Sequence, residues 1–390
     1  MKVLLDGRIM SNDGIGRYTK QVISSLIDQK NNSYEIVVRE PNCPINHTIL
    51  SNSLRYTWEE LSEMDEIIQG NHLDVVHFFD YKIARDVQTV PMIVSIHDIF
   101  RYSSPDLCYD DDTFALRYGI TRLNEIKAIV NHYEAIIDRG HTERKPRSCD
   151  FAHYKYYRAM LIWSLFNSDV IVVPSQYVKS EILKNFTVDK EKIRAVHYGI
   201  DHIHVCKQTI KRENSFIYIG QNRPHKNVQS ILKAAAYFIR RHPDYKLKLI
   251  GGDFCKESHG FATYGLGDSL VLKGFISDDE LALEYASAKA IIHVSHEEGF
   301  GFTPLEAMMN RCAVISSKTP IAEEILGELP IYVKDYDDPD SIEQAMEEAI
   351  HVGDKEREKL STYASQFKWS VYTSALEEIY QNVCEKSRKQ

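Results

Sequence analysis

Short apolar segments alternate with longer amphipathic ones along the whole chain. In the first half, apolar runs rich in Val and Ile begin at Lys2, Tyr34, Asp74, Met92, Asp169 and Ile193. Continuous apolar strands, as opposed to strands of alternating polarity, are typical of a parallel sheet that is covered on both faces. A helical pattern, YTKQVISSLIDQ, follows the first run. The first half is therefore predicted to be a doubly wound βαβ domain.

The same alternation begins again after a polar stretch that follows Gly199. The later apolar runs begin at Ser215, Tyr245, Ser269, Ala290, Cys312 and Ile331. Two sheets of this size do not fit easily into one compact layer. We therefore predict an α/β protein with two Rossmann-like domains that face a cleft, spanning residues 1–203 and 204–366. Ligands of such folds bind outside the carboxyl ends of the strands.

Residues 101–163 interrupt this alternation, because they carry no strand signal. The segment contains an acidic run, Asp110, Asp111 and Asp112. A D-x-D metal site would need an apolar strand leading into it, but SSPDLC precedes the run. A solvated acidic loop is the simpler interpretation. A third interpretation is that these acids line a binding site and attract a cationic ligand.

Composition narrows the class of protein. The 390 residues include 47 Lys and Arg and 56 Asp and Glu, a formal net charge of −9 that argues against a nucleic-acid binder. The seven cysteines are scattered and lack C-x-x-C spacing, which disfavours a disulfide framework or a zinc site and favours the cytoplasm. We expect no signal peptide and no membrane span, since no apolar run is long enough.

The stretch HEEGFGFTPLEAMM, after the run that begins at Ala290, concentrates special residues. Glu298 is predicted at the end of the strand, and Gly299 and Gly301 allow a ligand to approach the backbone closely. Thr303 is expected to cap a helix, with a proline at its first position and Glu306 at its third. The amino end of that helix suits a phosphate. A capping box alone would explain Glu306, but neither Glu298 nor the glycines.

Two motifs of the first half also follow predicted strands. GIGRYT places Gly14 and Gly16 at the start of a helix, where small residues let the loop reach a phosphate. The full G-x-G-x-x-G pattern is absent, because Thr19 stands at its last position, and this disfavours NAD. IHD places His97 and Asp98 at a strand end, where a functional role competes with a purely structural one.

A basic motif, GQNRPHKN, follows the first strand of the second half. It carries Arg223 and Lys226 just before a helix that is predicted to begin near Asn227. Cationic side chains just before a helix suit an anionic ligand such as a phosphate. The alternative is a solvated basic turn.

In these motifs, taken in order, the chain resembles the retaining glycosyltransferases of family 4, which have the GT-B fold. The resemblance extends along the whole chain through GIGRYT, IHD, VPS, YGID, GQNRPHKN and EGFGFTPLE. The stretch FKWSVYTSALEEIY is similar to the family's last helix. By this resemblance, residues 367–390 are expected to cross back onto the first domain.

The resemblance implies catalytic and sugar-binding roles for the matching residues. Glu298 would bind hydroxyls of the donor sugar, helped by the backbone N–H groups of Gly299 and Phe300. His97, with Asp98 beside it, would contact the sugar near its primary hydroxyl after domain closure.

The same resemblance implies a nucleotide site. Glu306 would accept hydrogen bonds from both ribose hydroxyls, and backbone N–H groups near Phe302 and Thr303 would hold the diphosphate. Lys226 would supply positive charge. A histidine stands where the family usually has a second Arg or Lys, so we assign the second cation to Arg223.

The expected function is hexose transfer, with retention, from a nucleotide diphosphate sugar to an acceptor hydroxyl. GDP-mannose is favoured as donor, and UDP-N-acetylglucosamine and UDP-glucose stay open. The acceptor would be a glycan, a glycolipid or a small polyol or aminocyclitol. The resemblance implies no metal and no cofactor, and a cytoplasmic enzyme for which a peripheral contact with the inner membrane face stays open. The rival interpretations are a sugar-nucleotide epimerase and a non-catalytic binding protein of the same fold.

If the acidic run attracts a cationic acceptor, replacing Asp110, Asp111 and Asp112 by Asn should raise the KM for the acceptor. The KM for the donor should not change, because the donor residues lie elsewhere in the sequence. Initial-rate measurements with each substrate varied in turn provide the test, and equal changes in both constants would contradict the hypothesis.

Overall fold

The structure is a computed structural model of the 390-residue chain. It describes residues 1–11, 14–39, 48–86, 88–137, 143–144, 147–208, 210–254, 261 and 264–388. The chain forms two compact units, Met1–His197 with Trp369–Gln390, and Tyr198–Lys368. The sequence-based boundaries were 203/204 and 366/367, whereas the units divide at 197/198 and 368/369.

A seven-stranded parallel sheet forms the centre of the first unit. Its strands are β1 (Lys2–Asp6), β2 (Ser33–Val38), β3 (Thr48–Leu50), β4 (Val75–Phe78), β5 (Met92–Ser95), β6 (Val170–Val173) and β7 (Ile193–Ala195). Their order across the sheet is 3-2-1-4-5-6-7. The six predicted strands are confirmed, and the three-residue β3, which lies at the edge, was not predicted.

Helices cover both faces of this sheet, as the continuous apolar strands require. They are α1 (Gly14–Gln29), α2 (Trp58–Gly70), α3 (Phe100–Ser103), α4 (Asp111–Tyr118), α5 (Ile120–Ile137), α6 (Ala152–Asn167) and α7 (Gln176–Asn185). All four residues of β4 are buried. The segment 101–163 is helical and contains no strand among its described residues, as predicted, and α5 packs along α6.

A six-stranded parallel sheet forms the centre of the second unit. Its strands are β8 (Ser215–Ile219), β9 (Lys246–Ile250), β10 (Leu270–Lys273), β11 (Ala290–His293), β12 (Ala313–Ser317) and β13 (Ile331–Val333). Its helices are α8 (Val228–Arg241), α9 (Asp278–Ser287), α10 (Phe302–Met309), α11 (Pro320–Leu326), α12 (Pro339–Ala349) and α13 (Asp354–Ala364). All six strands were predicted.

The strand order decides where each unit can bind a ligand. In the second sheet the order is β10-β9-β8-β11-β12-β13. The strands from β8 to β10 are therefore added on one side of β8, and the strands from β11 to β13 on its other side. The connections on the two sides lie on opposite faces of the sheet, and at this reversal point a crevice opens between them at the carboxyl ends of β8 and β11. The first sheet has the equivalent point between β1 and β4.

The last helix, α14 (Trp369–Ser387), belongs to the first unit, where it packs against α1 and β4. Buried hydroxyl groups attach it. Tyr380 Oη lies 2.7 Å from His77 Nδ1, and His77 Nε2 lies 2.9 Å from Ser95 Oγ. Ser95 Oγ also contacts Tyr18 Oη at 3.2 Å, and Tyr18 Oη contacts Tyr372 Oη at 2.6 Å. A continuous hydrogen-bonded chain thus joins β4, β5 and α1 to α14.

Within the described ranges, no helix combines the length and the hydrophobicity needed to cross a membrane. The described cysteines Cys108, Cys149, Cys206, Cys312 and Cys384 are all free. Cys43 and Cys255 lie outside the described residues.

The buried hydrogen-bonded chain predicts how stability depends on pH. Burial, with a smaller contribution from the charge of His97, lowers the pKa of His77 to about 3. In the unfolded chain the ring titrates near its ordinary value of about 6.5. The neutral ring therefore stabilises the folded state fully above about pH 6.5, and this contribution is lost as the pH falls towards 3.

We expect His77→Asn to destabilise the protein at pH 7, and its deficit in unfolding free energy to shrink by about 1.4 kcal/mol per pH unit below pH 6. Urea unfolding of both proteins between pH 7 and pH 4.5 measures this difference. His132→Asn, which replaces an exposed histidine, is the matched control and should follow the wild type at every pH. A deficit for His77→Asn that is constant with pH would contradict the prediction.

Candidate functional site

Two loops meet at the reversal point of the second sheet. One follows β8 and carries GQNRPHKN, and the other follows β11 and carries HEEGFG. The N–H of His296 donates to the carbonyl of His225 at 2.8 Å, which joins the two loops directly. Lys226 Nζ donates to Glu298 Oε1 at 2.6 Å. The strand order thus brings together two charged residues that are 72 positions apart in the chain.

The loop after β8 holds Lys226 in a defined position. Pro224–Lys226 forms a single 3-10 turn, which ends at Asn227 in the left-handed region with φ 55°. Asn tolerates this region better than most residues. Its Nδ2 donates to the carbonyl of Tyr336 at 2.6 Å and so fixes the turn. Arg223 precedes the turn, and its Nε donates to Gln221 Oε1 at 3.3 Å.

Glu298 lies in a strongly positive environment. Burial alone would raise the pKa of this carboxyl, but the charges of Lys226 and His293 outweigh it and hold the pKa far below its usual range. The side chain is still 20% exposed, so a ligand can reach it. Glu298 is therefore an ionised acceptor of hydrogen bonds throughout the neutral pH range.

Helix α10 begins two residues earlier than the sequence indicated, and Thr303 does not cap it. The capping position belongs to Gly301, with φ +92°, and no side chain accepts a hydrogen bond there. A residue with a Cβ would be strained at this angle. Phe302 is the first helical residue, Thr303 the second, and Pro304, which has no N–H, the third. The predicted capping box with Glu306 is therefore wrong.

Glu306 points into the unit from the second turn of α10. It is only 8% exposed, and its Oε2 accepts a hydrogen bond from Tyr285 Oη at 3.0 Å. Tyr285 belongs to α9 and is itself buried. Tyr285 thus orients the carboxylate that was predicted to bind ribose.

The phenylalanine side chains of the glycine-rich loop pack against another aromatic residue of the same unit. Phe300 is 5% exposed, and its ring lies 5.0 Å from that of Tyr198. The ring of Phe302 stacks on Tyr198 at 5.5 Å, with an interplanar angle of 10°. Because these rings pack within the unit, a contact with a ligand would have to come from the backbone of Gly299, Phe300 and Phe302.

The first unit has its own group of candidate residues at the carboxyl ends of β4 and β5. His97 Nε2 donates to the carbonyl of Phe79 at 2.9 Å. The ring also makes an edge contact with Tyr18 at 4.7 Å. Asp98 accepts a hydrogen bond from the N–H of Phe100 at 3.3 Å.

A cavity of ≈ 100 Å³ opens beside these residues, lined among others by His97, Asp98, Arg101 and Ile15. Ile15 lies between the two glycines of GIGRYT. The structure therefore brings Ile15 of this motif to the cavity that His97 and Asp98 line, whereas neither Gly14 nor Gly16 is among the residues that line it.

The three acids of the insertion are placed at the start of α4, and two of them have structural partners. Asp110 caps the helix, accepting from the N–H of Thr113 at 2.7 Å. Asp111 accepts from the N–H of Ala152 at 2.8 Å and pairs with Lys127 at 2.6 Å. Asp112 is exposed. Their role towards an acceptor stays a prediction.

His293, the last residue of β11, is a residue of the site that the sequence interpretation missed. Its Nε2 lies 3.0 Å from Glu298 Oε1, and the residue is 5% exposed. The available signal was a polar residue that ends the otherwise apolar strand AIIH, five positions before Glu298. Tyr285 gave no comparable signal, because an aromatic residue on a helix is usually part of the core.

Over the part of the chain that the structure describes, no group of three or more His, Cys, Asp or Glu side chains is arranged to hold a metal ion. The charged groups of the site itself are Lys226, Glu298 and Arg223.

Two protein-family models match consecutive parts of the chain. The model described as Glycosyltransferase Family 4 matches residues 13–203, and the model described as Glycosyl transferases group 1 matches residues 202–367. The junction of the two models at 202–203 is close to the division between the two units at 197/198. Together the models account for nearly the whole chain.

Relatives and solved structures agree with these models. The O-antigen chain mannosyltransferase RfbU of Salmonella typhimurium is 28% identical over 290 residues, which are 72% of this chain and 80% of the relative. The O-antigen chain mannosyltransferase B of Escherichia coli is 24% identical over 239 residues, 56% of this chain and 62% of the relative. The crystal structure of WaaG, a glycosyltransferase involved in lipopolysaccharide biosynthesis, superposes with a TM-score of 0.66 at 13% identity, covering 97% of this chain and 99% of that one. The last likeness shows the fold, which is GT-B.

The two glycines of GIGRYT are predicted to respond differently to a methyl group. A Cβ on Gly16 would overlap the backbone and side chain of Ser11, whereas a Cβ on Gly14 would meet nothing within 4 Å. We expect Gly16→Ala to lower the free energy of unfolding by about 1–3 kcal/mol. Gly14→Ala is the matched control and should change it by less than about 1 kcal/mol. Urea unfolding measures both, and equal effects would show that the loop after β1 does not pack against Gly16.

Proposed function

We propose that this chain, which belongs to the family 4 glycosyltransferases of GT-B fold, transfers mannose from GDP-mannose to a hydroxyl group of a glycan acceptor. We further propose that the anomeric configuration is retained and that the reaction needs no metal ion. UDP-N-acetylglucosamine and UDP-glucose are the alternative donors.

The proposal rests chiefly on the contact between Lys226 and Glu298, which lie in the loops after the neighbouring strands β8 and β11. This crevice is where folds of this type bind nucleotides. The amino end of α10 lies in the same loop as Glu298, and the N–H groups of a helix's first turn have no partners within the helix. A cation, a helix terminus and an ionised carboxylate therefore converge on the place where a sugar diphosphate would bind.

Mannose is favoured by the names of the relatives. RfbU and the mannosyltransferase B of Escherichia coli are both described as O-antigen chain mannosyltransferases. The motifs IHD and PHKN point to the same donor. The names of these two relatives also favour a carbohydrate acceptor over a small polyol.

The proposed reaction breaks the bond between the anomeric carbon of mannose and the oxygen of the β-phosphate. The acceptor oxygen forms the new bond on the same face, and its proton passes to the departing phosphate oxygen. Negative charge grows on the diphosphate, where Lys226, Arg223 and the first amides of α10 would stabilise it. No enzyme carboxylate is assigned as a nucleophile.

The other residues hold the donor in this scheme. Glu298 would accept hydrogen bonds from the sugar hydroxyls, and Glu306, oriented by Tyr285, would bind the ribose. His97 would support the sugar from the first unit, with Asp98 next to it. The roles of Glu298, Glu306, His97 and Asp98 follow from the family's pattern, and that of Tyr285 is suggested by its hydrogen bond to Glu306.

The proposal predicts that a nucleotide diphosphate sugar stabilises the protein by binding its native state. In a thermal-shift panel of GDP, UDP, ADP and their sugars, GDP and GDP-mannose should raise the Tm most. Lys226→Met should weaken both guanine ligands, because it removes a phosphate contact. Glu298→Gln should reduce only the additional effect of the mannose. Transfer activity should persist in excess chelator.

Lys233→Met provides a matched control, since Lys233 is an exposed residue of α8 away from the loop. It should bind like the wild type. No stabilisation by any member of the panel, or activity that disappears with the chelator and returns with manganese, would overturn the proposal.

A further inference from the structure

His293 occupies an unusual place for a polar side chain. The three residues before it in β11 are buried aliphatic residues, and Val294 after it is fully buried as well. The residue is only 5% exposed. A buried polar group without a good hydrogen bond is destabilising, so such a residue needs a reason to be there.

The ring contacts the carboxylate of Glu298. Its Nε2 lies 3.0 Å from Glu298 Oε1. This contact does not have the geometry of a regular hydrogen bond, and neither Nδ1 nor Nε2 has a hydrogen-bond partner among the residues that the structure describes. The ring is thus held beside the carboxylate by packing, with its hydrogen-bonding capacity unused.

Lys226 makes the regular hydrogen bond to the same oxygen. Its Nζ donates to Glu298 Oε1 at the shorter distance of 2.6 Å. The ammonium is thus the closer of the two groups that approach this oxygen, and a charge-assisted hydrogen bond is the stronger kind.

A bound donor would change this balance. Under the proposed function, Lys226 binds the diphosphate while Glu298 binds the sugar, yet the structure pairs the two residues with each other. Moving the ammonium towards the phosphate would take away the lysine that donates to the carboxylate. A partly buried carboxylate that loses its partner is destabilised and free to change its rotamer.

We propose that His293 is a positioning residue that replaces Lys226 as hydrogen-bond donor to Glu298 Oε1 when Lys226 turns to the diphosphate of the donor. The ring keeps the carboxylate in place and leaves Oε2 to accept hydrogen bonds from the sugar. This inference rests on the proposed function, which supplies the ligand that displaces Lys226.

Donor binding provides the first test. His293→Leu removes the hydrogen-bonding group, and His293→Gln retains an N–H donor at a similar distance from the backbone. In calorimetric titrations, His293→Leu should bind GDP-mannose about tenfold more weakly than the wild type and GDP within about twofold, since a hydrogen bond to a charged group carries about that much affinity. His293→Gln should recover most of the loss. The KM for GDP-mannose should rise in the leucine variant while the KM for the acceptor stays constant.

A merely structural role for the ring predicts a different pattern. In that case GDP and GDP-mannose would be weakened equally, or the glutamine and leucine variants would be equally impaired, and either result would overturn the proposal. Far-ultraviolet circular dichroism and retained GDP binding check that each variant is folded.

A second test needs no ligand and so separates this inference from the proposed function. Lys226→Met removes the competing donor, and His293 should then donate to Glu298 even in the free protein. With ¹⁵N-labelled histidine, this variant should show a downfield N–H proton that is absent from the wild type and from Lys226→Met/His293→Gln. Identical spectra of the wild type and Lys226→Met would refute the exchange of donors. If the wild type bound no nucleotide sugar at all, the proposed function would fail while this spectrum still decided the role of His293.

Discussion

The contact between Lys226 and Glu298 is the interaction on which the site of the second unit depends. It joins the loop after β8 to the loop after β11, and those strands are neighbours only because the sheet has the order 3-2-1-4-5-6 when counted within the unit. A parallel sheet places the carboxyl ends of all its strands at one edge, and the reversal separates the connections there. The pairing of strands thus turns two distant charges into one site, and neither residue would have a partner without it.

This pairing also limits how the site can work. A carboxylate that is held ionised by a nearby ammonium is a good acceptor for sugar hydroxyls. The ammonium has three N–H donors, so how far Lys226 can also serve a phosphate depends on the geometry of its contact with Glu298. A second cation near the diphosphate, or a second donor to the carboxylate, would relax this limit. We proposed Arg223 for the first role, and His293, which lies 3.0 Å from the carboxylate, for the second.

The strands could be predicted from the sequence, because buried parallel strands are continuous apolar runs. The short edge strand β3 could not, since three residues carry no period. The start of α10 was placed at Thr303 because Thr-Pro is a strong helix-start signal. In the structure Gly301 occupies the capping position. Its φ of +92° depends on the folded loop and cannot be inferred from the residue types alone.

The same limit applies to the histidines. His77 and His293 both end or lie within buried strands, and a sequence cannot distinguish them. In the structure, both ring nitrogens of His77 have hydroxyl partners at 2.7 and 2.9 Å, so its role in joining α14 to the first unit is complete without any ligand. His293 has a carboxylate at 3.0 Å and no regular hydrogen bond among the described residues.

A folded protein satisfies nearly all of its buried polar groups, so an unsatisfied one is informative when it faces a site that can change. The satisfied ring of His77 is explained by the fold alone. The ring of His293 lies unsatisfied beside a carboxylate that the proposed function assigns to the donor sugar, and the proposed exchange of donors would give the ring a partner. An unsatisfied ring nitrogen is not sufficient by itself, because Nε2 of His153 also lacks a partner among the described residues and lies outside this site. The neighbouring carboxylate is what distinguishes His293.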